Sequence, residues 1–267
     1  MNVKKVRLGL AGKDVSKSLS EKMHTFILSE WGIECDYKRF SVAPDEFDGV
    51  MRTLLGDFDG FNVTIPYKRD VFGYLDEVVG DALTCGAVNT VVCATKKGYN
   101  TDGVGFLQML QNADIAVKDK KVLILGAGGS GRSSAVALKN AGANVYMYRR
   151  NREELEETCA QLGVTPIQNP EAGGYDIIIN TTGVGMHDTE GCSPVGVKAF
   201  DGAKIAVDLI YTPAESEFLR LAKTQGLQTL NGASMLFYQA YHADCIFLNK
   251  KADAAEAKAL YEKYLLQ

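Results

Sequence analysis

The chain has 267 residues and a formal net charge of −4, with 46% of its residues hydrophobic and 23% charged. At roughly 150 residues per domain this length predicts about two domains, and the composition excludes a disordered chain, a collagen-like one and a disulfide scaffold. The slight acidity argues against a nucleic-acid partner or an anionic membrane surface, and no apolar run approaches the ~20 residues needed to span a bilayer. The opening segment, Met1 to Ala11, has too short an apolar stretch for a secretory signal. Cys35, Cys85, Cys93, Cys159, Cys192 and Cys245 are scattered and form no CxxC pair. That spacing predicts reduced thiols in a cytoplasmic protein, with no metal site and no disulfide framework.

Short apolar runs alternate with helical patterns, which predicts an α/β protein with mainly parallel sheets. Val6 to Ala11 reads as the first strand, followed by a helix from Ser20 to Trp31 with Met23, Phe26, Ile27 and Trp31 on one face. Asp36 to Val42 is the next strand, Pro44 suits the first turn of a helix, and Phe58 to Ile65 is a third strand ended by Pro66. Ala87 to Ala94 forms a later strand before a turn at Lys96-Lys97-Gly98. A second cycle begins with a strand from Lys121 to Leu125, a helix from Ser130 to Ala141 stopped by Gly142, and a strand from Asn144 to Tyr148. Asn151 then caps a charged helix that runs to Leu162. Tyr175 to Asn180 and Lys204 to Ile210 supply further buried strands, and a last helix lines up Ala257, Leu260, Tyr261 and Tyr264. The boundaries fall near 100 and 239: a first α/β domain over 1–100, a second over 101–239, and terminal helices, 240–267, packing back on the first.

Gly126-Ala127-Gly128-Gly129-Ser130-Gly131 follows the strand that ends at Leu125 and opens a helix. It satisfies G-x-G-x-x-G, in which the first glycine permits a tight turn, the second lets backbone approach a pyrophosphate and the third allows close helix–strand packing. Free N–H groups and the positive helix end then face the phosphates. Glycine-rich turns are common, and the strand–loop–helix context is what turns this one into a Rossmann-type dinucleotide site. About 20 residues on, an NAD site carries Asp or Glu for the ribose 2′-OH. Here Tyr148-Arg149-Arg150-Asn151-Arg152 stands instead, and guanidinium groups hold a 2′-phosphate where a carboxylate repels it. The plainer reading, a solvated face beside Glu153 and Glu154, stays open, and NADP is the cofactor expected.

In the first domain, polar residues gather where strands end: Ser16-Lys17-Ser18, Asn62-Val63-Thr64 through Lys68, Ala87-Val88-Asn89-Thr90, and Asn100-Thr101-Asp102-Gly103. Strand ends of open parallel sheets are where ligands collect. The order and spacing of these segments, with the glycine loop, Asp208 to Pro213 and Gly232 to Ala240, resemble the shikimate dehydrogenase family, which includes quinate/shikimate dehydrogenases. The resemblance covers most of the chain. It implies reversible, NADP-linked oxidation of shikimate to 3-dehydroshikimate in aromatic biosynthesis, by two α/β domains with substrate and cofactor meeting in a cleft. By position, Ser16 and Ser18 would hold the substrate carboxylate. Thr64, Asn89, Asp102 and Gln239 would contact ring hydroxyls, with Asn62 and Tyr211 close by. Lys68 and Asp102 match the catalytic pair. Gly126, Ala127, Gly128, Gly129 and Ser130 match the phosphate loop, Arg150 the 2′-phosphate contact, and Leu209 and Gly232 positions near the nicotinamide. Two departures are visible: Leu19 stands where the family commonly has proline, and Arg149-Arg150-Asn151 replaces a common Asn-Arg-Thr.

The chemistry makes these residue types reasonable by itself. An alcohol that loses hydride must also lose its hydroxyl proton, and in reverse a ketone oxygen gains negative charge. A lysine ammonium stabilises that charge and passes a proton, and a neighbouring carboxylate orients it. Each residue also has a structural reading: Ser18-Leu19-Ser20-Glu21 fits a capping box, Asp102 can cap a helix, and the three asparagines can satisfy turns. His24, His187 and His242 share no spacing that marks a metal site or triad and read as structural or surface residues. The rival functions are a quinate/shikimate dehydrogenase with relaxed substrate or NAD use, another two-domain dehydrogenase such as one acting on folates, and a non-catalytic NADPH-binding regulator. Retention of Lys68 with Asp102 argues against the regulator, and the Ser16/Ser18 pair with Asn89 against a folate enzyme. Monomer and homodimer both remain open.

Overall fold

A computed structural model describes residues 4–267, and its elements grow from the apolar runs of the sequence. In chain order they begin β1 (Lys4–Gly12), α1 (Ser20–Glu30), β2 (Ile33–Ser41), α2 (Phe47–Asp57), β3 (Gly60–Val63), β4 (Glu77–Val78), α3 (Asp81–Cys85), β5 (Thr90–Val92), β6 (Lys97–Tyr99) and α4 (Asp102–Asn112). There follow β7 (Lys121–Leu125), α5 (Gly129–Asn140), β8 (Asn144–Tyr148), α6 (Arg152–Leu162), β9 (Thr165–Pro166) and β10 (Ile177–Asn180). The chain closes with β11 (Ile205–Asp208), α7 (Glu217–Thr224), β12 (Gln228–Asn231), α8 (Ala233–Phe247) and α9 (Ala254–Tyr264). Two compact units divide these elements, Met1–Gly105 with Leu236–Gln267, and Phe106–Met235. Both divisions fall inside helices, α4 and α8, rather than in a composition-marked linker. Asp102 and Gln239, which boundaries drawn from sequence put in the second domain, belong to the first unit.

The sheet of the first unit has the order β2-β1-β3-β5-β6-β4. β1 is parallel to both β2 and β3, whereas β5 runs antiparallel to β3 and β6. β4 is parallel to β6, so β5 is the one reversed strand in a sheet that is otherwise parallel, as expected. The run expected to be one strand from Ala87 to Ala94 is β5 followed by a 3-10 turn at Cys93–Thr95. Lys96, at φ 45°, then sends the chain back as β6, so the expected 96–98 turn is tighter and its last two residues are strand. β1 reads as a nearly unbroken apolar run because it is covered on both faces, with Val6, Leu8, Leu10 and Ala11 all buried. Met51, Leu54, Phe61 and Val91, none more than marginally exposed, fill the space under α2; each such side chain contributes about 1.5–3 kcal/mol by leaving water. The terminal helices return to this unit as expected. Tyr264 of α9 lies 5.3 Å from Phe26 of α1 and 5.2 Å from Phe237 of α8, ring centre to ring centre.

The second unit has the order β12-β11-β10-β7-β8-β9, all parallel. That is a doubly wound dinucleotide-binding sheet, and the direction of winding reverses between β7 and β10, where ligands of such sheets bind. β7 and β10 are central strands, and Val122, Leu123, Ile124, Ile178 and Ile179 are fully buried. Asn151 caps α6 as expected, its side chain accepting from the Glu154 N–H.

Candidate functional site

β1, β3 and β6 point the same way and β5 the opposite way, so the C-terminal ends of the first three and the start of β5 lie at one end of the first sheet. Register fixes this closely: Ala11 pairs with Val63, and Asn62 with Thr90. Residues 64–68, Asn89 and the 100–102 segment therefore leave the sheet together. Backbone bonds draw them in further, with Val63 N–H donating to Asn89 O at 2.9 Å, Asn89 N–H to Tyr99 O at 3.0 Å, and Val88 N–H to Lys68 O at 2.8 Å. Tyr67, beside Lys68, is pinned by its hydroxyl donating to Val42 O at 2.7 Å.

The centre of this cluster is an ion pair. Lys68 Nζ donates to Asp102 Oδ2 at 2.5 Å, with side-chain exposures of 12% and 8%. Asp102 opens α4, and its second oxygen, Oδ1, accepts from Asn89 Nδ2 at 2.8 Å. Its backbone N–H donates to Asn100 Oδ1 at 3.0 Å, while Asn100 Nδ2 donates to Ala87 O at 2.8 Å. Asn89 is itself held by Thr101 N–H and Thr90 Oγ1, both donating to Asn89 Oδ1 at 2.9 Å. Gln239 of α8 belongs to the same cluster: it is buried, and its Oε1 lies 3.5 Å from Asn89 Nδ2. The close approach that brings it there needs glycine at 105, because a Cβ would sit 2.6 Å from the Gln239 backbone nitrogen. The structure thus brings Lys68, Asn89, Asp102 and Gln239 together.

Three other expected residues differ in what they can still offer. Thr64 is half-buried, and its hydroxyl has no hydrogen-bond partner among the described residues. Asn62 is buried and fully committed: Nδ2 donates to Asn89 O and Thr90 Oγ1, both at 3.1 Å, and Oδ1 accepts from the Tyr37 hydroxyl at 3.3 Å. It supports Asn89 and has no amide hydrogen left for a ligand. Ser18 does not form the capping box, because Leu19 is the N-cap of α1 and makes no side-chain cap bond. Instead Ser18 Oγ donates to Ser20 Oγ at 3.0 Å, and Ser16 Oγ donates to Asp14 Oδ1 at 2.7 Å. Thr90 and Thr101, missed as site residues, carried a readable signal: each stands in a polar run, beside Asn89 and Asp102 respectively.

In the second unit the glycine loop sits where expected. Gly126 adopts φ 107°, and a Cβ at Gly131 would lie 2.5 Å from Gly126 O, so both positions require glycine. Gly128 faces open space, with nothing within 4 Å of an added Cβ, and as N-cap of α5 it supplies no side-chain bond. A dinucleotide's phosphates fit this cradle of backbone, since the first N–H groups of a helix need an acceptor from outside it. The loop is tied to the next strand by Gly126 N–H donating to Tyr148 O at 2.9 Å, which sets Arg149 and Arg150 beside it. Arg149 is paired with Glu154, whereas Arg150 is exposed and makes no ion pair among the described residues. Leu209 and Gly232 meet directly, so closely that a Cβ at 232 would overlap Leu209 O. Tyr211 follows β11 in this unit and is exposed.

Sequence reasoning missed a polar shelf beside this loop. Asn180, ending β10, donates from Nδ2 to Asp208 Oδ1 at 3.0 Å, and Asp208 Oδ2 accepts from Ser216 Oγ at 2.5 Å. Burial pushes the Asp208 carboxyl above the usual range, against the pull of those hydrogen bonds. Thr181 Oγ1 donates to Leu125 O at 2.9 Å, which locks the shelf to the glycine loop. Among the described residues no group of three or more His, Cys, Asp or Glu is placed to hold a metal, and no helix is long and apolar enough to cross a membrane.

Known proteins resemble this chain in sequence and fold. The model of the shikimate dehydrogenase substrate binding domain matches residues 10–91. The NADP(+) shikimate dehydrogenase of Carboxydothermus hydrogenoformans is 38% identical over 247 residues, covering 86% of this chain and 87% of that protein. Among solved structures, shikimate 5-dehydrogenase of Thermus thermophilus in complex with NADP(H) and shikimate superposes with a TM-score of 0.88 at 32% identity, covering 97% of this chain and 99% of that one. A chorismate mutase/shikimate 5-dehydrogenase fusion protein from Clostridium acetobutylicum reaches 0.89 at 33% identity, over 98% and 97% of the two chains.

Proposed function

We propose the function from one premise: the chain belongs to the shikimate dehydrogenase family. It oxidises shikimate reversibly to 3-dehydroshikimate with NADP, in the route to aromatic compounds, and acts in the cytoplasm. The observation that carries this reading is the Lys68–Asp102 ion pair, held by Asn89 at a strand-end cluster. NADP supplies the hydride acceptor for oxidation, and NADPH the hydride donor for reduction. The protein's part is to manage the oxygen. In reduction the Lys68 ammonium donates to the ketone oxygen, stabilises the negative charge that grows there and delivers the proton. Oxidation is the reverse, with the hydroxyl proton leaving toward the same pair. Asp102 fixes the lysine head, and Asn89 fixes Asp102.

Thr64, with an unused hydroxyl, and Gln239, whose Nε2 donates to Leu236 O at 2.8 Å while its Oε1 only grazes Asn89, are the neighbours that contact the ring hydroxyls. Ser16 and Ser18 receive the carboxylate, each turning its hydroxyl from an internal partner to the ligand. Gly126 to Ser130 cradle the pyrophosphate, Arg150 takes the 2′-phosphate, and Leu209, Gly232 and Tyr211 line the nicotinamide and substrate side of the second unit. The test is a four-way rate assay, shikimate or quinate with NADP or NAD, following reduced nicotinamide by absorbance. The highest kcat/KM is expected for shikimate with NADP. No reduction in any mixture would overturn the assignment in favour of a binding-only protein.

A further inference from the structure

Arg39 lies on β2 two residues past Tyr37, and so on the same face of the strand. That face is covered by α1. The Tyr37 ring stacks on His24 at 4.9 Å and 16°, and one step further along both elements the Arg39 guanidinium meets Glu21, Nε to Oε2 at 3.0 Å. From this place Arg39 Nη1 donates to Ser16 O at 2.6 Å. Arg39 thus joins three parts of the first unit: the end of β2, the first turn of α1, and the serine segment between β1 and α1.

The segment has few other supports at that point. Its beginning is well tied, with Lys13 N–H donating to Ile65 O at 3.0 Å and Val15 N–H to Ser41 Oγ at 3.2 Å. Past Val15 the bonds are local. Ser16 N–H and Oγ both donate to Asp14 Oδ1, Ser18 N–H donates to Val15 O at 3.1 Å, and Leu19 makes no side-chain cap bond to α1. Packing adds little there. Ser16, Lys17 and Leu19 are exposed, and an open groove lies on each side of the guanidinium, one lined by Ser16 and Lys38, the other by Ser18 and Lys22. Among the described residues, the Arg39 bond is the one hydrogen bond that reaches residues 16–19 from outside the loop and α1.

A carbonyl held by a guanidinium fixes the plane of the Ser16–Lys17 peptide, and with it the direction in which the chain goes on to Ser18. The serine hydroxyls can then turn toward a ligand while their backbone holds still. A planar fork of donors serves a carbonyl and a carboxylate together in one geometry, which an ammonium on a flexible stem does not. We propose that Arg39 is a positioning residue for substrate binding: it holds the Ser16–Ser18 backbone in the conformation that receives the substrate carboxylate, and Glu21 holds Arg39. The inference rests on the shikimate reading above, since the serines have that role only there. Arg39 has no bond to Lys68, Asp102 or Asn89, so the proton and hydride steps do not pass through it.

The test uses Arg39→Met, Arg39→Lys, Glu21→Ala and the double variant of Glu21→Ala with Arg39→Met. Arg39→Met is expected to raise KM for shikimate roughly fivefold, with kcat and KM for NADP within about twofold of wild type, as one charge-assisted bond is lost from the binding loop alone. Arg39→Lys keeps the charge and is expected to raise KM for shikimate less, about twofold to threefold. The double variant is expected to be no worse than Arg39→Met, because Glu21 acts through Arg39. Each KM is measured at about 0.05 M and about 0.5 M salt, since salt screens a free attraction between guanidinium and carboxylate but leaves a short tether in place. The ratio of Arg39→Met to wild type is expected to persist at both. A ratio that falls to one in high salt overturns the positioning role in favour of plain charge attraction. An unchanged KM for shikimate overturns it too, as do multiplying effects in the double variant. So does a kcat or a KM for NADP that shifts as far as KM for shikimate, which marks general loosening. If Arg39→Met does not fold, Arg39→Lys decides alone: KM for shikimate must rise at least about twofold with kcat and KM for NADP unchanged, and any smaller rise refutes the proposal. Wild-type turnover of shikimate, measured first, tests the underlying reading separately.

Discussion

Replacing Lys68 by methionine keeps the length and apolar bulk of the side chain and removes only the ammonium. Among the described residues that ammonium has one partner, Asp102 Oδ2 at 2.5 Å, and Asp102 retains its bond from Asn89 Nδ2 at 2.8 Å when the lysine goes. The carboxylate, 8% exposed, is left with a donor on one oxygen, which costs about 1–3 kcal/mol of stability and leaves the fold intact. The catalytic loss is larger. One donor aimed at a developing oxyanion is worth about 2.7–4 kcal/mol, and proton delivery by the same group adds a further factor, so kcat is expected to fall about 10³-fold or more. Asp102→Asn makes the control. Asn89 Nδ2 holds the new carboxamide oxygen toward itself, so the amide N–H faces Lys68; the ammonium survives but loses its aim. Its kcat is expected to fall less, about 10²-fold. Turnover is followed with saturating NADP and shikimate, and NADP affinity by calorimetry, which should match wild type in both variants. A Lys68→Met enzyme within tenfold of wild-type kcat refutes the reasoning, as does an NADP affinity that falls in step with kcat.

Further outcomes follow from the second unit and from the half-buried His242. Arg150→Ala should weaken NADP roughly tenfold while leaving NAD unchanged, and Glu154→Gln, by releasing Arg149 and removing a carboxylate, should tighten NADP several-fold; calorimetry with both nucleotides checks each. Gly131→Ala should abolish measurable NADP binding and lower stability by about 1–3 kcal/mol, because its Cβ would lie 2.5 Å from Gly126 O and 2.6 Å from Thr181 Oγ1. Burial holds His242 down from 6.5 to about 4, so the folded chain refuses a proton that the unfolded chain accepts. Stability from this group is complete above about pH 6.5 and declines as pH falls toward 4, by at most about 3 kcal/mol. Denaturant melts of wild type and His242→Gln between pH 4 and 7 should show a shallower acid loss in the variant, and parallel curves would exclude His242 as a source.

The stretch of the second unit from β7 to α6 was legible almost residue by residue. Lys121–Leu125 and Asn144–Tyr148 form the strands expected, since strands buried on both faces are continuous apolar runs and glycines mark their ends. The first unit was harder. β4 has two residues and α3 five, too short to show any period, and β6 lies in Lys97-Gly98-Tyr99, whose lysine and glycine read as a turn. β6 escaped for that reason, and with it the antiparallel direction of β5. α7 and β12 were not anticipated, although Ser216 caps α7 by accepting from Leu219 N–H and was available as a signal. In the site, the glycine loop is local and could be read from the sequence. Lys68 and Asp102 stand 34 positions apart, and no pattern in the chain announces that they touch; only the family resemblance joined them. Asn62 shows the reverse limit, because residue type and placement pointed toward the ligand while its burial assigns it to Asn89.

The hydrogen-bond arithmetic of the first-unit cluster explains which of its groups are left to act. Asn62, Asn89, Thr90, Thr101 and Asp102 are all buried, and each polar atom stranded there costs about 1–3 kcal/mol. They meet that demand chiefly by bonding one another, which fixes every amide orientation before a ligand arrives. A network so closed has little to offer a ligand. The Lys68 ammonium has three hydrogens and gives one to Asp102. Thr64 keeps an unpaired hydroxyl, and Gln239 meets Asn89 at 3.5 Å, the outer limit of a hydrogen bond. The capacity that remains is thus a cation flanked by neutral groups, which matches one oxygen gaining negative charge beside hydroxyls that do not. The order of the buried layer and the chemistry of the open one are consequences of the same accounting.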